Sequence, residues 1–120
     1  MLSQRRGIRL IRTHIGSREF VETVRKILAG ESRVRERGAD ELTDRLSSYS
    51  PAQASALATM LSAAAAVEKD NAALEAELHA ILELMSTGHI SLDHISQLRE
   101  IRVENLPPEL HEFVTDLLED

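Results

Sequence analysis

The stretch from Ser62 to Leu84, SAAAAVEKDNAALEAELHAILEL, constrains this chain more than any other. It holds eight alanines and neither glycine nor proline, so helix propensity alone would run one rod straight through it. Extended back to Pro51 and on to Ser86, that rod would be about 54 Å long at roughly 1.5 Å per residue, more than a chain of 120 residues can pack against. A break is therefore expected at Lys69-Asp70-Asn71, where the apolar register fails and Asp or Asn offers the side-chain oxygen that an N-cap needs. Glu75 then falls in an early turn of the next helix, where the helix dipole favours a carboxylate. The expected result is a helical hairpin, its alanines letting the two axes approach near the lower end of the roughly 8 to 10 Å range.

Helix punctuation extends this pattern in both directions. Ser50-Pro51-Ala52-Gln53 combines a capping serine, a proline at the first helical position and a glutamine three residues after the cap, which together form a capping box. The helix it opens, about 51 to 68, is apolar round most of its circumference. Ala54, Leu57, Ala58, Leu61, Ala64 and Ala65 cover one side, and Ala56, Met60, Ala63 and Val67 extend the arc. Only Ser55, Thr59, Ser62 and Lys69 suit water, so this is expected to be the central helix. Beyond the corner, Leu74, Leu78, Ile81, Leu82 and Met85 predict a single-faced amphipathic helix ending before Gly88. Ser91 is expected to cap a helix over 92 to 102 carrying Leu92, Ile95, Leu98 and Ile101. Pro107-Pro108 opens a last one with Leu110, Phe113, Val114, Leu117 and Leu118 on its apolar stripe.

Upstream of Ser50, Ser17 is read as the N-cap of a helix over 17 to 29 with Phe20, Val24, Ile27 and Leu28 on one face, stopped by Gly30. A further helix, about 32 to 47, carries Ala39, Leu42 and Leu46, with Gly38 weakening its middle. Residues 1 to 16, with Ile8, Leu10 and Ile11, form either a short helix or a basic arm. No strand pattern is found. The expected fold is all-α, five or six short helices in a single domain of 1–120: the possible arm, N-terminal helices over 17–49, and two hairpins over 50–88 and 89–120.

Charge divides the chain unevenly: residues 1–50 carry +4 and residues 51–120 carry −10, within a net −6. The two ends are thereby expected to present opposite fields. An overall pI near 5.4 argues against a nucleic-acid-binding domain. The arginines at 5, 6, 9 and 12, with Arg33, Arg35 and Arg37, leave an antitoxin-like DNA contact as an alternative. Two Phe, one Tyr and no Trp leave few platforms for stacking bases or sugars. No apolar run approaches the roughly 18 residues that cross a bilayer. The arginine-rich N-terminus lacks the apolar core of a secretory signal, which with the absence of cysteine leads to the expectation of a cytoplasmic protein.

No catalytic or cofactor motif appears. GxSxG, GxGxxG and GxxxxGK[ST] are absent, and the serines at 47, 48, 50 and 55 have no nucleophile elbow around them. Glu75, His79 and Glu83 stand at i, i+4 and i+8 and form a row on one helix edge. Without HExxH or tighter histidine clustering, that row is expected to be a solvated one, worth a few tenths of a kcal/mol per pair. His89 and His94, which flank the Ser91 cap, are read as surface groups and His111 as a boundary residue. No metal, cofactor or enzymatic activity is expected.

Two hairpins of about 35 residues each, over Ser50 to Asp120, resemble a short HEAT- or armadillo-like solenoid; an irregular bundle is the alternative. The segments LEAELHAILELMSTGHISLDHISQLREI and LPPELHEFVTDLLED also resemble small all-helical bacterial toxin-immunity proteins. That resemblance implies a non-catalytic protein that neutralises a toxin by stoichiometric occlusion of its active site. In a HEAT-like arrangement the second helix of each pair lines the binding side, which would present Glu75, His79 and Glu83 from the first and Glu112, Asp116 and Glu119 from the second. Such an acidic face suits a basic toxin domain, for instance a nuclease. A helical adaptor or subunit of a larger complex is the other reading, and the oligomeric state is left open.

Overall fold

In a computed structural model the described residues are 16–119; the arm read over residues 1–16 lies, apart from Gly16, outside them. The described chain is all-α, with helices α1 (Ser17–Ile27), α2 (Ser32–Thr43), α3 (Pro51–Ala66), α4 (Asn71–Met85) and α5 (Pro108–Glu119). Short 3-10 segments occupy Leu46–Ser48, Leu92–Glu100 and Val103–Asn105. No described helix is long and apolar enough to cross a membrane.

The helix starts are set by local chemistry. Ser50 Oγ accepts from the Gln53 backbone N–H at 3.1 Å while Gln53 Oε1 accepts from the Ser50 N–H at 3.0 Å, closing the capping box that opens α3. The alanine run ends where the sequence expects it to: α3 stops at Ala66, and Asp70 opens α4 by accepting from the Ala73 N–H at 2.9 Å. Gly88 takes φ of +83° just beyond α4, the left-handed conformation a glycine adopts without penalty. At α1 the reading of Ser17 as cap is corrected. Gly16 holds the extended cap position with no side-chain bond, and Ser17 is the first helical residue.

The helices pair in chain order, α1 with α2 and α3 with α4. Along one side α1 meets α3 and α3 lies along Leu92–Glu100; along the other α2 lies against α4 and α4 meets α5. One hydrophobic core runs through all of them, from Ile27 and Leu42 through Leu57, Leu61, Leu74, Leu78, Ile81 and Leu84 to Ile95, Leu98 and Leu117.

Several expectations are revised by this packing. α3 shares the centre with α4 and is not enclosed all round, since Ala63 is exposed and Val67 at its end is 74% exposed. α4 is the more enclosed of the two, because α2, α3 and α5 surround it. Ala73, Ala76 and Ala80 are buried along with Leu74, Leu78, Ile81 and Leu84, whereas Leu82, counted on its apolar face, is 39% exposed. Ser62, assigned to the solvent strip of α3, is fully buried, its Oγ 3.0 Å from Gln97 Oε1 on the 92–100 segment. The second helix ends at Thr43, and 46–48 is a separate 3-10 turn. The helix expected over 92–102 is a 3-10 segment over Leu92–Glu100, broken at Ile95 (φ −117°, ψ 23°). Its apolar residues recur every third position, the spacing that three residues per turn places on one face.

Gly38 has a packing role that its helix propensity conceals. It is buried where α2 crosses α1, and a Cβ built there would lie 2.7 Å from Lys26 Cβ and 3.1 Å from the Lys26 carbonyl carbon. In an open helix, Gly→Ala would stabilise by about 1 kcal/mol. Here Gly38→Ala is expected to destabilise by about 1–3 kcal/mol through overpacking, seen in urea unfolding as a lower midpoint with an unchanged slope.

Candidate functional site

Two features of the described surface and interior have the makings of a site. The first is a groove of about 360 Å³ between α2, α4 and α5, lined by Glu36 and Asp40 from α2, Ala72, Glu75, Ala76 and His79 from α4, and Phe113 from α5. Small residues at 72 and 76 leave the floor open. Carboxylates four apart on α2 lie opposite Glu75 and His79, four apart on α4, because i and i+4 share a helix face. None of these carboxylates is in an ion pair among the described residues. A smaller groove of about 200 Å³ continues from it past Asn71, Glu75, Pro107, Glu109 and Leu110.

Of the residues singled out in the sequence, Glu75 and His79 therefore stand together in a groove. Glu83 lies two turns beyond Glu75 and is half-buried, with no part in the lining. Glu112, Asp116 and Glu119 are exposed on α5, but the groove residues from that helix are Phe113 and, in the continuation, Glu109 and Leu110. Glu36 and Asp40 were missed because the first turns of α2 read as a basic cluster around Arg33, Arg35 and Arg37. Their spacing of four was the available signal. Arg33 and Arg37 share α2's outer face with Glu36 and Asp40, so the rim there is mixed in charge. The arginines at 5, 6, 9 and 12 lie outside the described residues. Among the described residues, no three His, Asp or Glu side chains gather in a cluster able to hold a metal.

The second feature is interior, where the α1–α2 turn meets the α3–α4 corner. Arg35 reaches across from α2 and grips Glu68 with both arms of its fork, Nε to Oε1 at 2.6 Å and Nη2 to Oε2 at 2.8 Å. Its Nη1 donates to the carbonyls of Ala29 and Gly30 at 2.8 and 2.9 Å. Glu68 Oε2 also accepts from the Lys69 and Asp70 N–H groups, both at 3.1 Å, which folds the corner around the carboxylate. The Glu68 side chain is fully buried and that of Arg35 is 20% exposed. Burial would raise the Glu68 carboxyl, but the Arg35 guanidinium overrides it and, with hydrogen bonds from Glu77 and the Asp70 backbone, holds it down at about 2. The same hydrogen bond to Glu68 raises Arg35.

Beneath this pair lies Glu77, fully buried in the middle of α4, and neither of its oxygens meets a hydrogen-bond donor. Burial raises its carboxyl to about 9, reinforced by Glu68, which accepts a hydrogen bond from the neutral acid and repels the ionised one. As a carboxylate Glu77 would have no donor; as an acid it becomes the donor. It was not singled out in the sequence, although a helical wheel puts it between Ile81 and Leu84 on the apolar stripe, and a carboxylate there was the available signal.

Comparison with protein-family models, with curated proteins and with solved structures finds no match to this chain.

The corner has a clear energetic signature. Arg35→Ala is expected to cost about 3–5 kcal/mol, because it leaves the buried Glu68 without its cation, whereas changing Arg35 to Met and Glu68 to Leu together should recover most of that loss in urea unfolding. Glu68 also sets an acid limit. Its folded-state value lies below the ordinary 4.5, so its contribution is complete above that value and is lost as the pH falls from about 4.5 towards 2. Glu68→Gln is expected to flatten that part of the stability profile.

Proposed function

We propose that this chain is a non-catalytic protein-binding module whose groove between α2, α4 and α5 receives a basic surface of its partner. The observation that carries the reading is the set Glu36, Asp40 and Glu75, three carboxylates without ion-pair partners among the described residues, around an apolar floor of Ala72, Ala76 and Phe113. An arginine or lysine entering such a groove would bury its aliphatic stem on Phe113 and the alanines while its charge meets the carboxylates. The leading biological role is toxin immunity in the bacterial cytoplasm, with a basic toxin domain such as a nuclease held one-to-one and its phosphate-binding site occluded. The pairwise stacking of the helices supports a short HEAT-like solenoid as the scaffold, with α2, α4 and α5 as the second helices of three successive pairs. Glu83, Glu112, Asp116 and Glu119 then belong to the wider acidic field that steers the partner, with Glu75 and His79 in the contact itself.

A second reading, a helical subunit of a larger assembly, draws on the exposed apolar side chains Val21, Leu28 and Val67, which form part of a face that a neighbouring subunit could cover.

The test is titration calorimetry against the toxin domain encoded by the adjacent gene. Glu36→Lys, Asp40→Lys and Glu75→Lys combined are expected to weaken binding at least 100-fold, and wild-type affinity is expected to fall steeply with salt. Substitution of Val21, Leu28 and Val67 by serine should leave it unchanged. Equal affinity for the wild type and the triple reversal would overturn the groove as the binding site.

A further inference from the structure

The fifteen residues that precede Gly16, MLSQRRGIRLIRTHI, carry four arginines and no Asp or Glu, together with Ile8, Leu10, Ile11 and Ile15. Residues 16–120 hold the other ten Lys/Arg against all twenty Asp/Glu, a net of −10. A strongly acidic body is thus joined to a short segment of charge +4. That segment combines the two properties for which the groove between α2, α4 and α5 selects, cationic heads and apolar flanks.

The segment is attached within reach of that groove. Arg18 and Glu19 at the start of α1 line one depression with Glu41 and Arg45 at and beyond the end of α2, so α1 begins where α2 finishes. Gly38 faces α1, and Glu36 and Asp40, two residues to either side of it, face the opposite way, because two residues turn a helix through about 200°. The path from Gly16 to these carboxylates runs halfway round α2, whose diameter with side chains is about 10–12 Å, and is therefore on the order of 20 Å. About six extended residues cover it at roughly 3.3 Å each, which leaves Arg5, Arg6, Ile8 and Arg9 to enter the groove.

Charge selects this groove over the depression beside Arg18. There Arg18, Lys26 and Arg45 balance Glu19, Glu22 and Glu41, and two of the carboxylates are in ion pairs with Arg25 and Lys26. The α2–α4–α5 groove sets Glu36, Asp40 and Glu75 around an apolar floor with no Lys or Arg in the lining, and its continuation adds Glu109. Arg33 and Arg37 border Glu36 and Asp40 on the outer face of α2 and pair with neither among the described residues. Tethering supplies the remaining drive. A short linker gives an effective concentration in the millimolar range, so even a contact of about millimolar affinity fills the groove roughly half the time.

We propose that in the free chain residues 1–15 cross α2 and lay Arg5, Arg6 and Arg9 along the acidic groove, so that the chain carries its own competitor for the basic surface of a partner. This rests on the reading of the groove as a receptor for basic groups, and it concerns the chain before any partner arrives.

The test is paramagnetic NMR on the full chain with no toxin present. The protein has no cysteine, so a nitroxide attached at Ser3→Cys is the single label. The amide signals of Asp40, Glu75, Ala76 and Phe113 are expected to fall at least twofold relative to the reduced label, whereas Thr59 and Ala63, on the exposed side of α3, keep most of theirs. Changing Arg5, Arg6, Arg9 and Arg12 together to glutamine should restore the groove signals. Spin-labelled chain mixed with isotope-labelled chain that bears no nitroxide should produce no loss. Groove signals untouched by the label would overturn the proposal, as would a loss that survives removal of the arginines. Loss in the mixed sample would overturn it too, by placing the segment in the groove of a second copy. The readout contains no partner, so a groove that fails to bind the toxin domain leaves this test intact, and a segment that fails to dock leaves the toxin titration intact.

Discussion

The enclosure of α4 is the constraint on which the rest of the structure depends. A helix that buries seven of its first eleven residues cannot be served by one neighbour, and α2, α3 and α5 close on it from three directions. Alanines at 73, 76 and 80 make this possible, since bulkier side chains would hold three axes too far apart to leave a dense core between them. The same enclosure shapes the surface: Ala72 and Ala76 leave the floor of the acidic groove low enough for carboxylates on α2 and α4 to face a common space.

Of the polar side chains on α4, Glu77 is the one that this enclosure carries fully into the interior. The molecule resolves this at one place. Glu68 and Arg35 satisfy each other and also bind backbone at positions 29, 30, 69 and 70, so a single guanidinium joins the α1–α2 turn to the α3–α4 corner, thirty-three residues from Arg35. Replacing such a pair by apolar side chains often leaves stability unchanged or higher. Its structural contribution lies in specificity, because only one arrangement of the α1–α2 turn and the α3–α4 corner satisfies all of these groups at once. Glu77, whose oxygens meet no donor, is held beside them as the neutral acid.

What could be read from the sequence and what could not follows from the range of the interactions. The capping box at Ser50, the cap at Asp70 and the proline start of α5 act within four residues, and the break in the alanine run emerged from length and capping alone. The burial of Ser62 depends on Gln97, thirty-five residues away, and no local pattern announces that contact. Gly38 presents the same difficulty, since a propensity scale registers its missing side chain as a defect while the crossing with Lys26 requires it. Two misreadings were avoidable. The strict spacing of three among Leu92, Ile95, Leu98 and Ile101 is the signature of a 3-10 segment, and Glu77 sits on the apolar stripe of α4 for anyone who draws the wheel. The candidate groove was half legible: the pair on α4 was found, while the pair on α2 was hidden by the arginines interleaved with it.

The contacts that hold α1 are concentrated near its end. The Gly38 crossing at Lys26 and Ile27 and the Arg35 clamp at Ala29 and Gly30 fall within five consecutive residues, whereas residues 17 to 22 bury no side chain completely. Mechanically this makes α1 a cantilever, fixed at its root and lightly supported along its length. Over eleven residues, roughly 16 Å at about 1.5 Å per residue, a tilt of about 10° at the root moves the far end by roughly 3 Å. Small adjustments in the tightest part of this fold are thus amplified at Ser17.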